Sequence, residues 1–175
     1  MSDCSMYNSV IPSLVMKNAN KAIEFYKKVF NAKEIYRLDY DNKIMHAEIQ
    51  IGNTVIMLSD EMGDWKFETE GKKLPFALYI YVDNVDKVFN KAIEMGAKVH
   101  YPIQTHFYGD RMGSVIDPFG YMWDIATHVE DVPDDEIKRR LPNVIKQMKQ
   151  QGGNKDYRKK YIKYKQKYFN IKKQN

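Results

Sequence analysis

MKNANKAIEFYKKVFNAKE at residues 16–34 and YVDNVDKVFNKAIEMGAKV at residues 81–99 carry one pattern written twice. In the first, Ala22, Ile23, Tyr26, Val29 and Phe30 recur at helical spacing with lysine and glutamate opposite, and Asn18 precedes them as a cap. In the second, Val85, Val88, Phe89, Ala92 and Ile93 make the apolar stripe. Both stretches therefore predict an amphipathic helix entered from one strand and left into another.

Working outward, residues 11–17 read as a short strand before the first helix, and 33–40, 43–51 and 54–59 as three strands after it. Asp41-Asn42 and Gly52-Asn53 are hairpin-turn pairs between them. Residues 76–82 restart the order, and 98–107, 111–116 and 121–127 complete it. The unit is strand, helix, three strands, present twice; two copies of one supersecondary unit cover apolar faces that neither buries alone. The expected class is α+β: two βαβββ modules, at 11–60 and 75–128, forming a curved mixed sheet around a cavity within a domain spanning 11–130. Residues 1–10 read as a flexible N-terminus and 61–74 as a linker whose Trp65 and Phe67 are candidates for a lid. Residues 131–151 form a helical extension, with Pro142 expected to kink or interrupt it, and 152–175 a basic, tyrosine-rich tail.

The net charge of +5 conceals an asymmetry. Residues 152–175 hold nine Lys/Arg and one acid, whereas the rest holds 19 basic and 22 acidic residues, so the basic character belongs to the tail. Cys4 is the single cysteine, which excludes an internal disulfide and a cysteine-rich zinc site and suits a reducing compartment. No stretch approaches the roughly 20 apolar residues of a membrane span, and a cytoplasmic location is expected. There is no GxGxxG, GK[ST] or GxSxG run in the required context, hence no expected nucleotide or other cofactor.

AIEFYKKVFNAKE (22–34), HAEIQIG (46–52), FYGDRMGSVIDPFGYMWDIATH (107–128) and the following EDVPDDEIKRR resemble the vicinal-oxygen-chelate superfamily of glyoxalases, bleomycin resistance proteins and dioxygenases, within it the PhnB-like branch. The resemblance covers about residues 8–140. It implies helices outside a ligand cavity, a homodimer, and in many members a divalent metal held by one residue from each first and each last strand of the modules. Those positions fall at Ile11, at Ile56 or Met57, at Ala77 and at Asp124. Three of the four are apolar, so no metal is expected.

Strand alternation suggests what lines the cavity instead. His46 and Glu48 share a face with Ile44 and Gln50, opposite Met45, Ala47, Ile49 and Ile51; Tyr79 groups with Tyr81, and Asp124 with His128. His46 with Glu48 is the candidate catalytic pair, a base and its neighbour, although without a third group or a nucleophile a hydrogen-bonded structural pair is the favoured reading. Tyr79, Tyr81, Tyr108, Arg111 and Asp124 are the candidate ligand-binding residues, Arg111 as a fork for an anionic group unless a salt bridge to Asp110, Asp117 or Asp124 occupies it. His106, His128 and Glu130 match no metal-ligand spacing.

In the tail, Tyr157, Tyr161, Tyr164 and Tyr168 recur at heptad-like spacing among lysines. The pattern resembles lysine- and tyrosine-rich tails of giant DNA virus proteins, which would place the chain in host cytoplasm or a virion. The expected function is small-molecule binding between the modules, with or without a metal-independent reaction. The alternative is a non-catalytic interaction protein whose tail docks a protein or nucleic acid.

Overall fold

The computed structural model describes residues 7–66 and 76–152, with side chains as far as 146. Expectations for residues 1–6, for Phe67 and the rest of the linker to 74, and for 153–175 lie outside the described residues. The first module runs β1 (Ser13–Met16), α1 (Ala19–Phe30), β2 (Lys33–Tyr40), β3 (Lys43–Ile51) and β4 (Thr54–Asp60). The second repeats it as β5 (Leu78–Tyr81), α2 (Val85–Glu94), β6 (Lys98–Thr105), β7 (Asp110–Ile116) and β8 (Met122–His128), followed by α3 (Asp134–Gly152). Each module is a four-stranded mixed sheet, ordered β1-β4-β3-β2 and β5-β8-β7-β6, whose first strand lies parallel to its last.

The repeat extends to atomic detail. Asn18 accepts from the Lys21 amide at 2.9 Å and Asn84 from the Lys87 amide at 2.9 Å, so both helices start on an asparagine cap. The first helical amide is taken by a side chain from the module's last strand, Ala19 by Asp60 at 2.7 Å and Val85 by Thr127 at 2.8 Å. Asp41 and Asn42 both hold positive φ, as the tight turn between β2 and β3 demands.

One apolar core serves both modules. Leu14, Ile23, Tyr26, Ile49 and Leu58 from the first share it with Phe89, Val115, Trp123 and Ile125 from the second. Each sheet thus turns one face to the helices and core; the other is its free face, across which no helix of the described residues packs. Phe30 lies 4.4 Å from Trp123 and Tyr26 5.3 Å from it, centroid to centroid, which carries α1 onto the second module.

Asp117, at the start of the DPFG turn, fixes this junction. It is 4% exposed and accepts from the Phe119 and Tyr121 amides, both at 2.9 Å, from the Trp123 indole at 3.0 Å and from the Tyr26 hydroxyl at 2.7 Å. Burial nevertheless raises its carboxyl above the usual range, and it raises Tyr26 as well.

Four expectations are corrected. Residues 43–51 do not alternate strictly: the register passes from Leu38–His46 to Asp39–Ile44, so Met45 is a bulge residue. Ile44 is consequently buried in the core and Met45 is exposed, the reverse of strict alternation. The N-terminal segment is not uniformly loose, because the Tyr7 hydroxyl reaches both oxygens of Glu48 at 3.0 and 2.9 Å. Finally, α3 continues through Pro142 without interruption. Trp65 closes a short turn with Met62 and stands 68% exposed, so it is not folded back as a lid.

The Asp117 network predicts unequal effects of two substitutions. Tyr26→Phe should lower unfolding stability by about 1.5–3 kcal/mol, the worth of one hydrogen bond to a charged group. Asp117→Asn should cost more, since its amide nitrogen would confront the Trp123 indole N–H; urea denaturation of both variants checks the order.

Candidate functional site

The free face of the second sheet is built in three rows across β5, β8 and β7. Tyr79 pairs with Asp124 and Asp124 with Ser114; Tyr81 pairs with Ala126 and Ala126 with Met112; His128 pairs with Asp110. Ala126 is fully buried yet lies outside the core cluster, so free-face side chains must cover it. The tyrosines do so, because both hydroxyls lean across β8 to one oxygen of Asp110, at 3.2 Å from Tyr79 and 2.8 Å from Tyr81. Their rings lie 5.2 Å apart, and much of each remains open, 45% and 62% exposed.

Asp110 itself is 4% exposed and gives its second oxygen to the His128 Nδ1 at 2.9 Å. Burial pushes its carboxyl up, but the hydrogen bonds from His128, Tyr81 and Tyr79 outweigh burial and hold it below the usual range. Burial first, then the charge environment of Tyr108 and Asp110, raises the Tyr79 hydroxyl far above its ordinary value, so both phenols stay protonated and donate to Asp110. His128 is raised by its bonds to Asp110 and, through Nε2 at 2.8 Å, to Asp131. Beside this group Ser114 is hydrogen-bonded to Asp124.

Tyr108 joins from the turn between β6 and β7, stacked 5.1 Å from His106, whose ring also lies 6.4 Å from that of Tyr101. Burial lowers the His106 imidazole, and its Nε2 has no hydrogen-bond partner among the described residues. The turn depends on Gly109, at φ 104°, where a Cβ would stand 1.9 Å from the Glu130 carbonyl.

Arg111 is not part of this face. Alternation along β7 puts it with Gly113 and Val115 on the helix side, where its fork binds Asp86 of α2 at 2.7 and 2.8 Å. The expected anion fork therefore becomes a sheet-to-helix tie, to an acid that sequence reasoning did not consider. His46 and Glu48 meet at 3.0 Å on the first sheet, but Tyr7 occupies the carboxylate, and among the described residues no hydrogen bond joins this pair to the Asp110 group. Hollows of about 770 and 730 Å³ lie at the start of α1 and between α1 and α2; neither is lined by His46, Glu48, Tyr79, Tyr81, Tyr108 or Asp124. Asp110, Ser114 and His128 were missed as a group. Alternation from Asp110 to Met112 and Ser114, opposite Arg111, was the signal available in the YGDR run.

Residues 9–125 match the family model of the glyoxalase/bleomycin resistance protein/dioxygenase superfamily. The chain belongs to that superfamily. The uncharacterized protein Mb0911c of Mycobacterium bovis is 35% identical over 136 residues, covering 74% of this chain and 90% of its own. Among solved structures, TioX from Micromonospora sp. ML1 shares the fold at 21% identity and a TM-score of 0.57, covering 70% of this chain and 99% of its own. The PhnB protein from Bacillus cereus shares it at 17% and 0.58, covering 69% and 99%. The fosfomycin resistance protein FosX from Mesorhizobium loti shares it at 13% and 0.54, covering 77% and 97%.

The metal common in this superfamily does not fit the residues here. Ile11, Ile56 and Ala77 are hydrocarbons, Met57 offers a thioether, and Asp124 is engaged by Ser114. Among the described residues no group of three or more His, Cys, Asp or Glu is placed to hold an ion.

Two tests follow. Gly109→Ala should lose more than about 2 kcal/mol, from backbone strain plus the clash with Glu130, and disturb the Tyr108 and Asp110 environment in near-ultraviolet circular dichroism. His128, with a raised folded pKa, stabilises the fold fully below its ordinary value of about 6.5 and loses that contribution as pH rises through the raised value. The melting-temperature gap between wild type and His128→Gln should accordingly be widest near pH 5.5 and close toward pH 8.5.

Proposed function

We propose that the chain binds a small organic molecule on the free face of its second sheet, without the superfamily's usual metal and as a homodimer. What carries this is the Asp110 centre: a buried carboxylate holding two tyrosine hydroxyls and an imidazole, so that two half-open aromatic rings are fixed on a sheet surface. Exposed aromatic surface held rigid is what a binding site requires, since little side-chain freedom remains to be lost on association. A structural role alone would leave Tyr79 and Tyr81 covered.

The free face of the first sheet also carries exposed Tyr36 and Leu38 beside His46, and a second copy would cover such surface. His46 and Glu48 serve as a structural pair under Tyr7. No reaction is assigned, because the Ser114 hydroxyl is bonded to Asp124 and among the described residues no hydrogen bond joins a serine, threonine or cysteine to an imidazole on either face. The family's reaction types follow from its metal, which these residues do not accommodate.

Native mass spectrometry of untagged protein tests the proposal. The expected spectrum is a dimer without stoichiometric metal, carrying a small-molecule adduct that Asp110→Asn loses. Stoichiometric zinc, nickel or iron, or an adduct equally retained by Asp110→Asn, would contradict it.

A further inference from the structure

The hydrogen-bonding sense of the Tyr79 and Tyr81 surface selects a ligand class. Both phenol protons are committed to Asp110, which is ionised, so toward an incoming molecule each hydroxyl offers only oxygen lone pairs. Ser114 is committed to Asp124, which leaves the other Asp124 oxygen as a further acceptor. The Tyr108 hydroxyl lies within hydrogen-bonding reach of Tyr79. The surface therefore offers acceptors and ring faces, and Tyr79, Tyr81 and Ser114 keep no donor for a carboxylate or phosphate.

Charge points the same way. Three carboxyl groups, Asp110, Asp124 and Asp131, stand against one imidazole, His128. Among the described residues, the cations that could reverse this are held elsewhere. Arg111 faces α2 and is clasped by Asp86. Arg140 of α3, which reaches the Phe107 carbonyl near the Tyr108 turn, is bound by Glu130 at 2.9 Å and Glu136 at 2.7 Å. Lys98 begins β6 opposite Ile116, at the far end of β7 from Asp110. β5 and β8 contain no lysine or arginine.

We infer that the ligand bound over Tyr79 and Tyr81 is a cation, an organic amine in its ammonium form that donates N–H to the tyrosine and Asp124 oxygens while its charge rests on the rings. This deepens the proposed function and rests on the second-sheet face being the binding site. Cation–π contact and the uncompensated carboxylate both favour such a group over a neutral isostere.

The test uses full-length protein with ring-labelled tyrosine, the Tyr79 and Tyr81 signals assigned through Tyr79→Phe and Tyr81→Phe. It is titrated with benzylamine at pH 7, benzyl alcohol and benzoate. Benzylamine should move both signals with an affinity about tenfold above benzyl alcohol, the equivalent of one such contact. Benzoate should be weakest, and Asp124→Asn should shrink the amine preference to about twofold or less. Equal or tighter binding of benzyl alcohol or benzoate at these tyrosines overturns the charge inference and leaves the site standing. If none of the three probes moves the Tyr79 and Tyr81 signals, the inference falls together with the site.

Discussion

The Tyr26 hydroxyl reaches across the molecule to a carboxylate buried in the other module, and this contact decides how the two halves sit. Burial pushes the Asp117 carboxyl above its usual range, and four donors converge there from a turn, a strand and the opposite module's helix. A buried carboxylate has strict geometric demands, because any donor that drifts away leaves charge unsolvated. Apolar packing of Phe30 and Tyr26 on Trp123 supplies the attraction between modules, whereas Asp117 selects one arrangement among those that greasy surfaces would tolerate. The free faces inherit their geometry from that choice.

The same device recurs, put to another use, at Asp110. There the carboxylate sits on the free side of the sheet, gathers hydroxyls from Tyr79 and Tyr81 and an imidazole from His128, and leaves the rings facing outward. One buried acid joins modules; the other presents aromatic surface. The neighbouring Arg111, one residue along β7, points to the opposite face and is spent on Asp86. A single step along a strand thus separates an acceptor-rich surface from the cation that would have neutralised it.

Most of the fold was legible because its signals are local and repeated. Helical stripes in 19–30 and 85–94, asparagine caps and turn pairs each fix an element without reference to the rest of the chain. Less was legible where tertiary context intervenes. The bulge at Met45 inverts the faces of Ile44 and Met45, and no residue type in KIMHAEIQI announces it. The partner of Arg111 lies on a helix 25 residues earlier, invisible to reasoning confined to the YGDR run. Tyr79, Tyr81 and Asp124 could be grouped by alternation, and Tyr108 comes to them from its turn. The residue that organises them, Asp110, was weighed only as a partner for Arg111, although its parity along β7 already placed it on their face.

A crystal structure of the protein as purified, with anomalous data collected for transition metals, addresses the question most directly. Density for a small organic molecule resting on the Tyr79 and Tyr81 rings, with no anomalous peak among Ile11, Met57, Ala77 and Asp124, is the predicted result. A metal ion bound at those four positions, with the tyrosine face bare, would contradict it.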